Sequence, residues 1–218
     1  MSPLRAHSPP LAPASRRRFI GWSVAAFAAG TRRAPASLSP IAEPVEVLYT
    51  ALLAAMKAGA AANFDRRFDI IAPAVERALD LTAILSLSVG LRWPSLSADD
   101  QAALLAAFRR YTIATYVVRF DKFTGQHFEV LSDAATANPD QRILRTRIVP
   151  VSGDPNAIDY LMHRSGETWK VVDVLLDGTI SQVAVQRSDF RRVLTDGGVG
   201  GLLASLNRKS ANFAAGVS

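Results

Sequence analysis

The chain has 218 residues and no cysteine, and 49% of its residues are hydrophobic, as expected for one globular domain with a leader. The absence of cysteine excludes thiol nucleophiles, thiolate zinc sites and iron–sulfur clusters. The net charge is +6, but six arginines lie in residues 1–36, which hold no acid, and the other 19 basic residues balance 19 acidic residues. The pattern therefore predicts no nucleic-acid partner.

Residues 1–36 are predicted to be a twin-arginine signal peptide. Three arginines at residues 16–18 precede the apolar run of residues 19–29, and small residues follow. The eleven residues of this run would span only about 16 Å as a helix, against a hydrocarbon core of about 30 Å. The run is too short for a membrane anchor, so we expect the mature chain to work in the periplasm.

Three helices are predicted after a Pro/Ser linker of residues 37–44. Apolar residues recur at helical spacing over residues 45–62 and 64–79, and a shorter apolar stretch covers residues 81–91. Pro73 lies within the second of these stretches. Because proline lacks the backbone donor and crowds the preceding turn, we expect it to kink that helix or to mark its boundary.

A fourth helix is predicted from Ser97 to about Arg119. Ser97 is followed by Asp99 and Asp100, which makes it a good N-cap because acids in the first turn complement the helix dipole. Residues 111–118 are rich in β-branched and aromatic side chains, which favour a strand. Their apolar positions also recur every three to four residues, and propensity is a weak predictor beside tertiary context. The pattern therefore predicts a helix here.

Beyond Gly125 the apolar period becomes two, which predicts four strands at residues 127–132, 141–150, 157–164 and 168–177. Their short connections require antiparallel neighbours. Helical spacing returns over residues 187–194 and 201–209, with a glycine joint at residues 197–201. The predicted fold class is α+β: a four-stranded antiparallel meander with helices before and after it packed on one face. Residues 45–210 would form this one domain, and residues 211–218 a flexible tail.

No grouping of side chains in the sequence indicates catalysis, a metal site or a cofactor. His163 has no second histidine or carboxylate at metal-ligand spacing. Asp173 and Asp177 lie four residues apart on one predicted strand, about 13 Å by strand rise, roughly twice the separation of an inverting carboxylate pair. We interpret Asp177 as a turn residue and Asp173 as a partner of Arg145 or Arg147 in the sheet.

Several segments, taken in order, resemble the MlaC family. They are Trp169 with the aspartate four residues later, the Asp-Gly pair at 177–178, Arg-Ser-Asp-Phe at 187–190, the glycine and leucine pattern of residues 200–206, and, further back, residues 64–80, 90–93 and 120–130. Members of that family are periplasmic carriers of phospholipid between the two membranes of Gram-negative bacteria, and one subgroup is associated with hopanoids. The resemblance implies a non-enzymatic monomer. It also implies an inner-membrane ABC-type lipid transporter and an outer-membrane lipoprotein complex as partners.

The resemblance also implies a hollow between sheet and helices that holds acyl chains. Periodicity alone does not distinguish a filled core from a hollow one, because both need inward apolar residues. The side chains expected to bind lipid are those on the inward faces of helices and strands: Phe68, Ile71, Val75, Phe108, Tyr111, Tyr116, Phe120, Phe128, Val130, Leu144, Ile148, Tyr160, Met162, Val172, Val174 and Leu176.

Two other classes of function are compatible with the same pattern. One is a small-molecule enzyme on a cone-shaped fold like that of nuclear transport factor and ketosteroid isomerase, which needs an ionisable residue inside its cavity; His163 and Asp159 are the candidates. The other is a structural adaptor with a solid core, which would have no cavity above about 300 Å³.

Overall fold

Helices before and after one antiparallel sheet make up residues 39–217, the part of the chain that the computed structural model describes. The predicted signal peptide, residues 1–36, lies outside these residues. The elements in chain order are α1 (Glu43–Lys57), α2 (Phe64–Ala78), α3 (Leu81–Val89), α4 (Ala98–Arg119), β1 (His127–Ala135), β2 (Gln141–Val149), β3 (Asn156–Ser165), β4 (Thr168–Leu176), β5 (Ile180–Ser181) and α5 (Gln182–Ala214). Short 3-10 segments follow α1 (Gly59–Ala61) and α3 (Gly90–Ser95).

The sheet has the order β1-β2-β3-β4-β5, and every neighbouring pair is antiparallel. The α+β fold class is therefore confirmed, but the sheet has five strands and not the four predicted. The fifth strand arises because Asp177 (φ 51°) and Gly178 (φ 70°) turn the chain back tightly, so that Ile180 pairs with Leu176. A two-residue strand contains no alternating pattern, and the sequence gives no sign of it.

Side-chain caps set the starts of four helices. The oxygens of Asn63, Asp80, Ser97 and Ser181 accept hydrogen bonds from the backbone N–H groups of α2, α3, α4 and α5, at 3.0, 2.9, 3.1 and 2.9 Å. Such a bond satisfies one of the N–H groups that a helix start leaves without a partner. The predicted N-cap at Ser97 is confirmed, and the cap at Ser181 fixes where α5 begins.

The helix predicted over the β-rich sequence of residues 111–118 is confirmed, since α4 runs without interruption to Arg119. Its β-branched residues Ile113 and Val117 are 0% and 2% exposed. The helix lies between α2 and α5, and the burial of these side chains outweighs the small helix propensity that a β-branched residue loses.

Three predicted boundaries differ from the structure. α1 begins at Glu43, inside the segment predicted as linker. Pro73 does not end α2, which continues through it to Ala78. α5 begins at Gln182, five residues before the predicted helix, and it extends to Ala214, four residues into the segment predicted as a tail. The side chain of Phe213 stacks on Tyr111, with ring centroids 6.2 Å apart, so this last turn is packed against α4.

The predicted glycine joint is present within α5. Gly198 has φ 60° and ψ −158°, a combination that residues with a side chain avoid. The remaining residues of α5 are helical on both sides of it, so α5 consists of two helical segments that meet at this glycine.

A bulge changes which residues of β4 face the helices. Met162 pairs with Val171 and Leu161 pairs with Asp173, so Val172 has no partner on β3. An extra residue of this kind reverses the alternation of side chains beyond it. The prediction that Val172 and Val174 share one face is therefore wrong: Val171, at 0% exposure, belongs to the main core, whereas Val172 is buried outside it.

The first half of the sheet is closely covered by α1. Val45, Leu48 and Leu52 of this helix are each 0% exposed, and the ring of Tyr49 stacks on Phe128 of β1 with centroids 4.1 Å apart. β4 contacts α2, α3 and α5, and α4 lies across a cavity from β3 and β4. Within residues 39–217, no helix combines the length and the apolar character needed to cross a membrane.

Candidate functional site

A cavity of about 320 Å³ lies between the β3–β4 half of the sheet and its helical cover. Its walls come from α4, from residues 182–189 of α5, and from β3 and β4, together with Leu79, which directly follows α2, and Ile84 of α3. Most of the lining is apolar or aromatic: Leu79, Ile84, Phe108, Tyr111, Tyr116, Phe120, Ile158, Tyr160, Val174, Leu176, Val183 and Val185. A concave apolar site of this volume is typical of small-molecule and lipid binding.

Polar side chains occur at defined points of this lining. The lining residues that are exposed to solvent are Arg119, Val185 and Asp189. Deeper inside, the hydroxyl oxygen of Thr112 is buried and has no hydrogen-bond partner among the described residues. The hydroxyl of Thr115 donates instead to the backbone oxygen of Tyr111 at 2.8 Å.

The structure brings seven of the sixteen residues predicted to bind lipid into the lining of this cavity. They are Phe108, Tyr111, Tyr116, Phe120, Tyr160, Val174 and Leu176. The other nine do not line it: Phe68, Ile71, Val75, Phe128, Val130, Leu144, Ile148, Met162 and Val172.

Most of the nine residues outside the lining are covered by other side chains. Ile71, Val75 and Met162 are each 0% exposed and belong to the core. Phe128 is covered by Tyr49 of α1 and by Phe120, whose ring centroid lies 5.9 Å from its own. The sequence places all sixteen on inward faces, but α1 fills the space over β1 and β2, so inward apolar residues there form solid core.

The contribution of α5 to the cavity is absent from the sequence prediction. Gln182, Val183, Val185, Gln186 and Asp189 all line it. All of them except Asp189 fall in the stretch between the last predicted strand and the helix predicted to start at residue 187. The N-cap pattern at Ser181, whose oxygen accepts from Ala184 N–H, is the signal that would have placed them on a helix.

Asp173 fastens the start of α5 to the sheet. One carboxylate oxygen accepts hydrogen bonds from the backbone N–H groups of Val174 at 2.8 Å and Val183 at 3.0 Å, and the other accepts from the Ser181 hydroxyl at 2.5 Å. The predicted partners Arg145 and Arg147 are therefore wrong. The tight turn and β5 bring the first turn of α5 against this carboxylate. The sequence pattern did not predict this proximity.

We expect Asp173→Ala to lower the free energy of unfolding by about 3 kcal/mol, because the change leaves buried donors without an acceptor. Asp173→Asn should cost less, since the amide oxygen still accepts from the two backbone N–H groups. Urea unfolding followed by circular dichroism measures both values. Asp154→Ala, at an exposed turn position, is the matched control, and a loss at Asp173 no larger than at this control would contradict the assignment.

Three tyrosines lie at the inner side of the cavity: Tyr116 and Tyr160 line it, and Tyr49 packs against Tyr160. Tyr49 donates to the hydroxyl oxygen of Thr146 at 2.5 Å, because the Thr146 hydroxyl itself donates to the backbone oxygen of Ile158. The rings of Tyr49 and Tyr160 meet edge to face with centroids 6.1 Å apart. Burial raises the pKa of Tyr49 to about 12, and burial likewise raises the pKa of Tyr116 and of Tyr160 above its usual range.

These raised pKa values predict a loss of stability at alkaline pH. Below about pH 10 the phenols are neutral in both the folded and the unfolded chain. As the pH rises from about 10 to 12, the unfolded chain releases phenolic protons that the folded chain retains, so the free energy of unfolding falls. Urea titrations across this range should show a shallower decline for Tyr49→Phe. If the free energy of unfolding falls equally steeply with pH in both proteins, Tyr49 does not contribute to the alkaline loss of stability.

The candidate residues for the enzyme alternative lie outside the cavity lining. Asp159 accepts a hydrogen bond from the backbone N–H of Thr146 at 3.1 Å. His163 lies on β3 between Gln141 and Lys170, and its Nδ1 is buried without a partner among the described residues. Within residues 39–217, no cluster of three or more potential metal ligands occurs. Asp177 occupies the turn, as predicted.

The cavity between an antiparallel sheet and a helical cover defines a ligand-binding α+β protein. A similar structure is that of the phospholipid-binding protein from Ralstonia solanacearum in complex with a phospholipid: it aligns with a TM-score of 0.70, covers 81% of this chain and 99% of that chain, and shares 22% sequence identity, which shows a common fold. No curated protein matches the sequence. The family model described as MlaC protein matches residues 46–208, and the chain belongs to the MlaC family.

Proposed function

We propose that this protein is a periplasmic carrier that binds a phospholipid or a hopanoid in the cavity and moves it between membranes. The observation that carries the proposal is the cavity of about 320 Å³, whose mainly apolar walls lie between sheet and helices. Membership of the MlaC family and the phospholipid bound by the Ralstonia protein support the same class of ligand.

The energetics of lipid transfer explain why such a carrier needs an enclosed apolar lining. Withdrawing hydrocarbon from water is worth about 0.8 kcal/mol per methylene, so one acyl chain of about sixteen carbons needs about 13 kcal/mol of matching apolar contact. Rings and aliphatic side chains from β3, β4, α4 and α5 supply this contact. The polar head of the lipid would then remain at the solvent-exposed part of the lining.

The proposed partners follow from the family and from the leader. An inner-membrane ABC-type lipid transporter and an outer-membrane lipoprotein complex would give lipid to the carrier or take it away. The arginine motif and apolar run of residues 1–36 support export by the twin-arginine route. The balanced charge of the remaining residues gives no basis for binding nucleic acid.

The chemistry of the lining supports binding rather than catalysis. Its buried carboxylate, Asp173, is held by three hydrogen-bond donors of the fold, and this arrangement leaves it unsuited to proton transfer with a ligand. The side chains of His163 and Asp159 do not reach the cavity.

Native mass spectrometry of the full chain, purified without detergent from the cells that express it, tests the proposal. We expect one lipid per protein molecule. The delipidated protein should then take up fluorescent phospholipid from vesicles of phosphatidylethanolamine and phosphatidylglycerol. A protein that carries no lipid on purification and takes up none from the vesicles would contradict the carrier function.

A further inference from the structure

Two leucine side chains are exposed where α3 ends. Leu87, in the last turn of α3, is 42% exposed, and Leu91, in the 3-10 segment Gly90–Ser95, is 101% exposed. Gly90 ends α3 with φ 74° and begins this segment, and no described residue covers the Leu91 side chain. The fold therefore leaves two large apolar side chains in water within one short stretch of chain, which marks a surface that can bind another apolar surface.

Two hydrogen bonds place arginines beside these leucines. The Arg187 Nε–H of α5 donates to the backbone oxygen of Leu87 at 2.8 Å, and the Arg92 guanidinium donates to the backbone oxygen of Leu194 of α5 at 2.9 Å. Arg191 is exposed and lies between these two bonds along α5, one helical turn after Arg187. Three arginines thus accompany the two leucines. We define the leucine–arginine patch by these five residues: Leu87, Leu91, Arg92, Arg187 and Arg191.

The positive charge of the leucine–arginine patch is not neutralised by the fold. Among residues 39–217, no carboxylate lies within ion-pair distance of Arg92, Arg187 or Arg191. The acids of α5, Asp189 and Asp196, lie two, five or nine residues from the two arginines on that helix, and these spacings place them on a different helix face. A guanidinium has five N–H groups, so one backbone bond leaves most of them available to an anion.

The leucine–arginine patch borders one wall of the cavity. Gln186 lines the cavity, and its side-chain amide lies 3.1 Å from the hydroxyl oxygen of Ser88. Gln186 directly precedes Arg187, and Ser88 directly follows Leu87. Neighbouring positions of the same two helices therefore form the cavity wall and the patch, so a surface that binds the patch lies close to that wall.

We propose that the leucine–arginine patch docks on the anionic surface of a phospholipid bilayer, with Leu91 inserted among the lipids and the three arginines at the level of the phosphate groups. A bilayer surface requires no complementary shape, only an apolar side chain that inserts and cations that meet the headgroups. A protein partner fits less well, because a protein interface buries about 800 Å² on each side around packed anchor residues, whereas the Leu91 side chain projects alone. Docking is distinct from ligand binding in the cavity, and this inference goes beyond the proposed function.

Flotation of the full chain with vesicles tests the docking surface. The vesicles contain phosphatidylcholine alone or phosphatidylcholine with phosphatidylglycerol, and we expect tighter binding to the second, anionic kind. Leu91→Ala should weaken this binding about tenfold, because part of the inserted side chain is lost. Arg191→Gln should weaken it about fivefold, because one positive charge at the surface is lost. Both side chains are exposed, so both variants should keep the thermal unfolding temperature of the unchanged protein.

Matched controls are Leu131→Ala on β1 and Arg208→Gln on α5, whose side chains are exposed and lie outside the leucine–arginine patch. They should bind the anionic vesicles as tightly as the unchanged protein. Residues 1–36, with their six arginines, are present in every protein compared, so the differences between variants report on the patch.

The docking proposal is overturned if the unchanged protein does not bind the anionic vesicles. It is also overturned if Leu91→Ala and Arg191→Gln bind them as tightly as the two controls, a result that would assign the patch to a protein partner instead. A protein that binds the vesicles through the patch but takes up no lipid would overturn the carrier function and leave the docking proposal standing.

Discussion

Val174→Trp is expected to weaken lipid binding about fiftyfold without unfolding the protein. Val174 lines the cavity from β4 and is only partly buried, so a larger ring can occupy the space that an acyl chain would fill. An indole that displaces three methylene groups removes about 2.4 kcal/mol of hydrophobic stabilisation from the bound lipid, which is about a fiftyfold loss of affinity. Uptake of fluorescent phospholipid by the delipidated variant measures the loss, and its thermal unfolding should stay close to that of the unchanged protein.

Val151→Trp is the matched control for this change. Val151 is 73% exposed in the turn before β3, so the same substitution adds the same ring away from the cavity. Lipid uptake should be unchanged in this control. Normal uptake by Val174→Trp would show that the lipid does not occupy the cavity next to β4.

Phe108→Ala is expected to lower the free energy of unfolding by about 3–5 kcal/mol, the usual cost of deleting a buried ring. The Phe108 side chain is 0% exposed and meets Phe190 of α5 edge to face, with ring centroids 6.3 Å apart. It therefore joins the two helices that form the outer wall of the cavity. Denaturant unfolding measures the change. Because Phe108 also lines the cavity, added phospholipid should recover part of the loss by binding the folded state.

Phe123→Ala provides the comparison for this prediction. Phe123 is 41% exposed, and its ring lies under the Lys57 ammonium at 5.0 Å, so its removal should cost only about 0.5–1 kcal/mol. Equal losses at Phe108 and Phe123 would contradict the role of Phe108 as the buried contact between α4 and α5.

Much of the fold could be predicted because the spacing of apolar residues differs between helical segments and strands. The helical period through residues 111–118 predicted α4 against β-propensity, and the glycine joint predicted the break at Gly198. What the sequence pattern did not contain was the bulge at Val172 and the two-residue strand β5. Both depend on pairing between strands, and a single unpaired residue reverses every inward assignment beyond it.

The candidate site was predicted less completely than the fold, and the reason lies in α1. Inward apolar residues on β2 and β4 look the same in the sequence, but Leu144 is 1% exposed in the core whereas Leu176 lines the cavity. Only the position of α1 over β1 and β2 separates them. The predicted lipid-binding set does not contain the lining residues Thr112 and Arg119, because only apolar and aromatic residues were selected for it.

The two halves of the sheet have different roles: the half covered by α1 stabilises the fold, and the half beside the cavity contacts the ligand. Under α1, side chains such as Leu48 and Leu144 secure the folded state. On the other side, replacements at partly buried positions such as Ile158 and Val174 alter the shape offered to a guest molecule. Substitutions in β3, β4 and α5 can therefore change which ligand is bound with little loss of stability, and we expect sequence variation among related proteins to concentrate there.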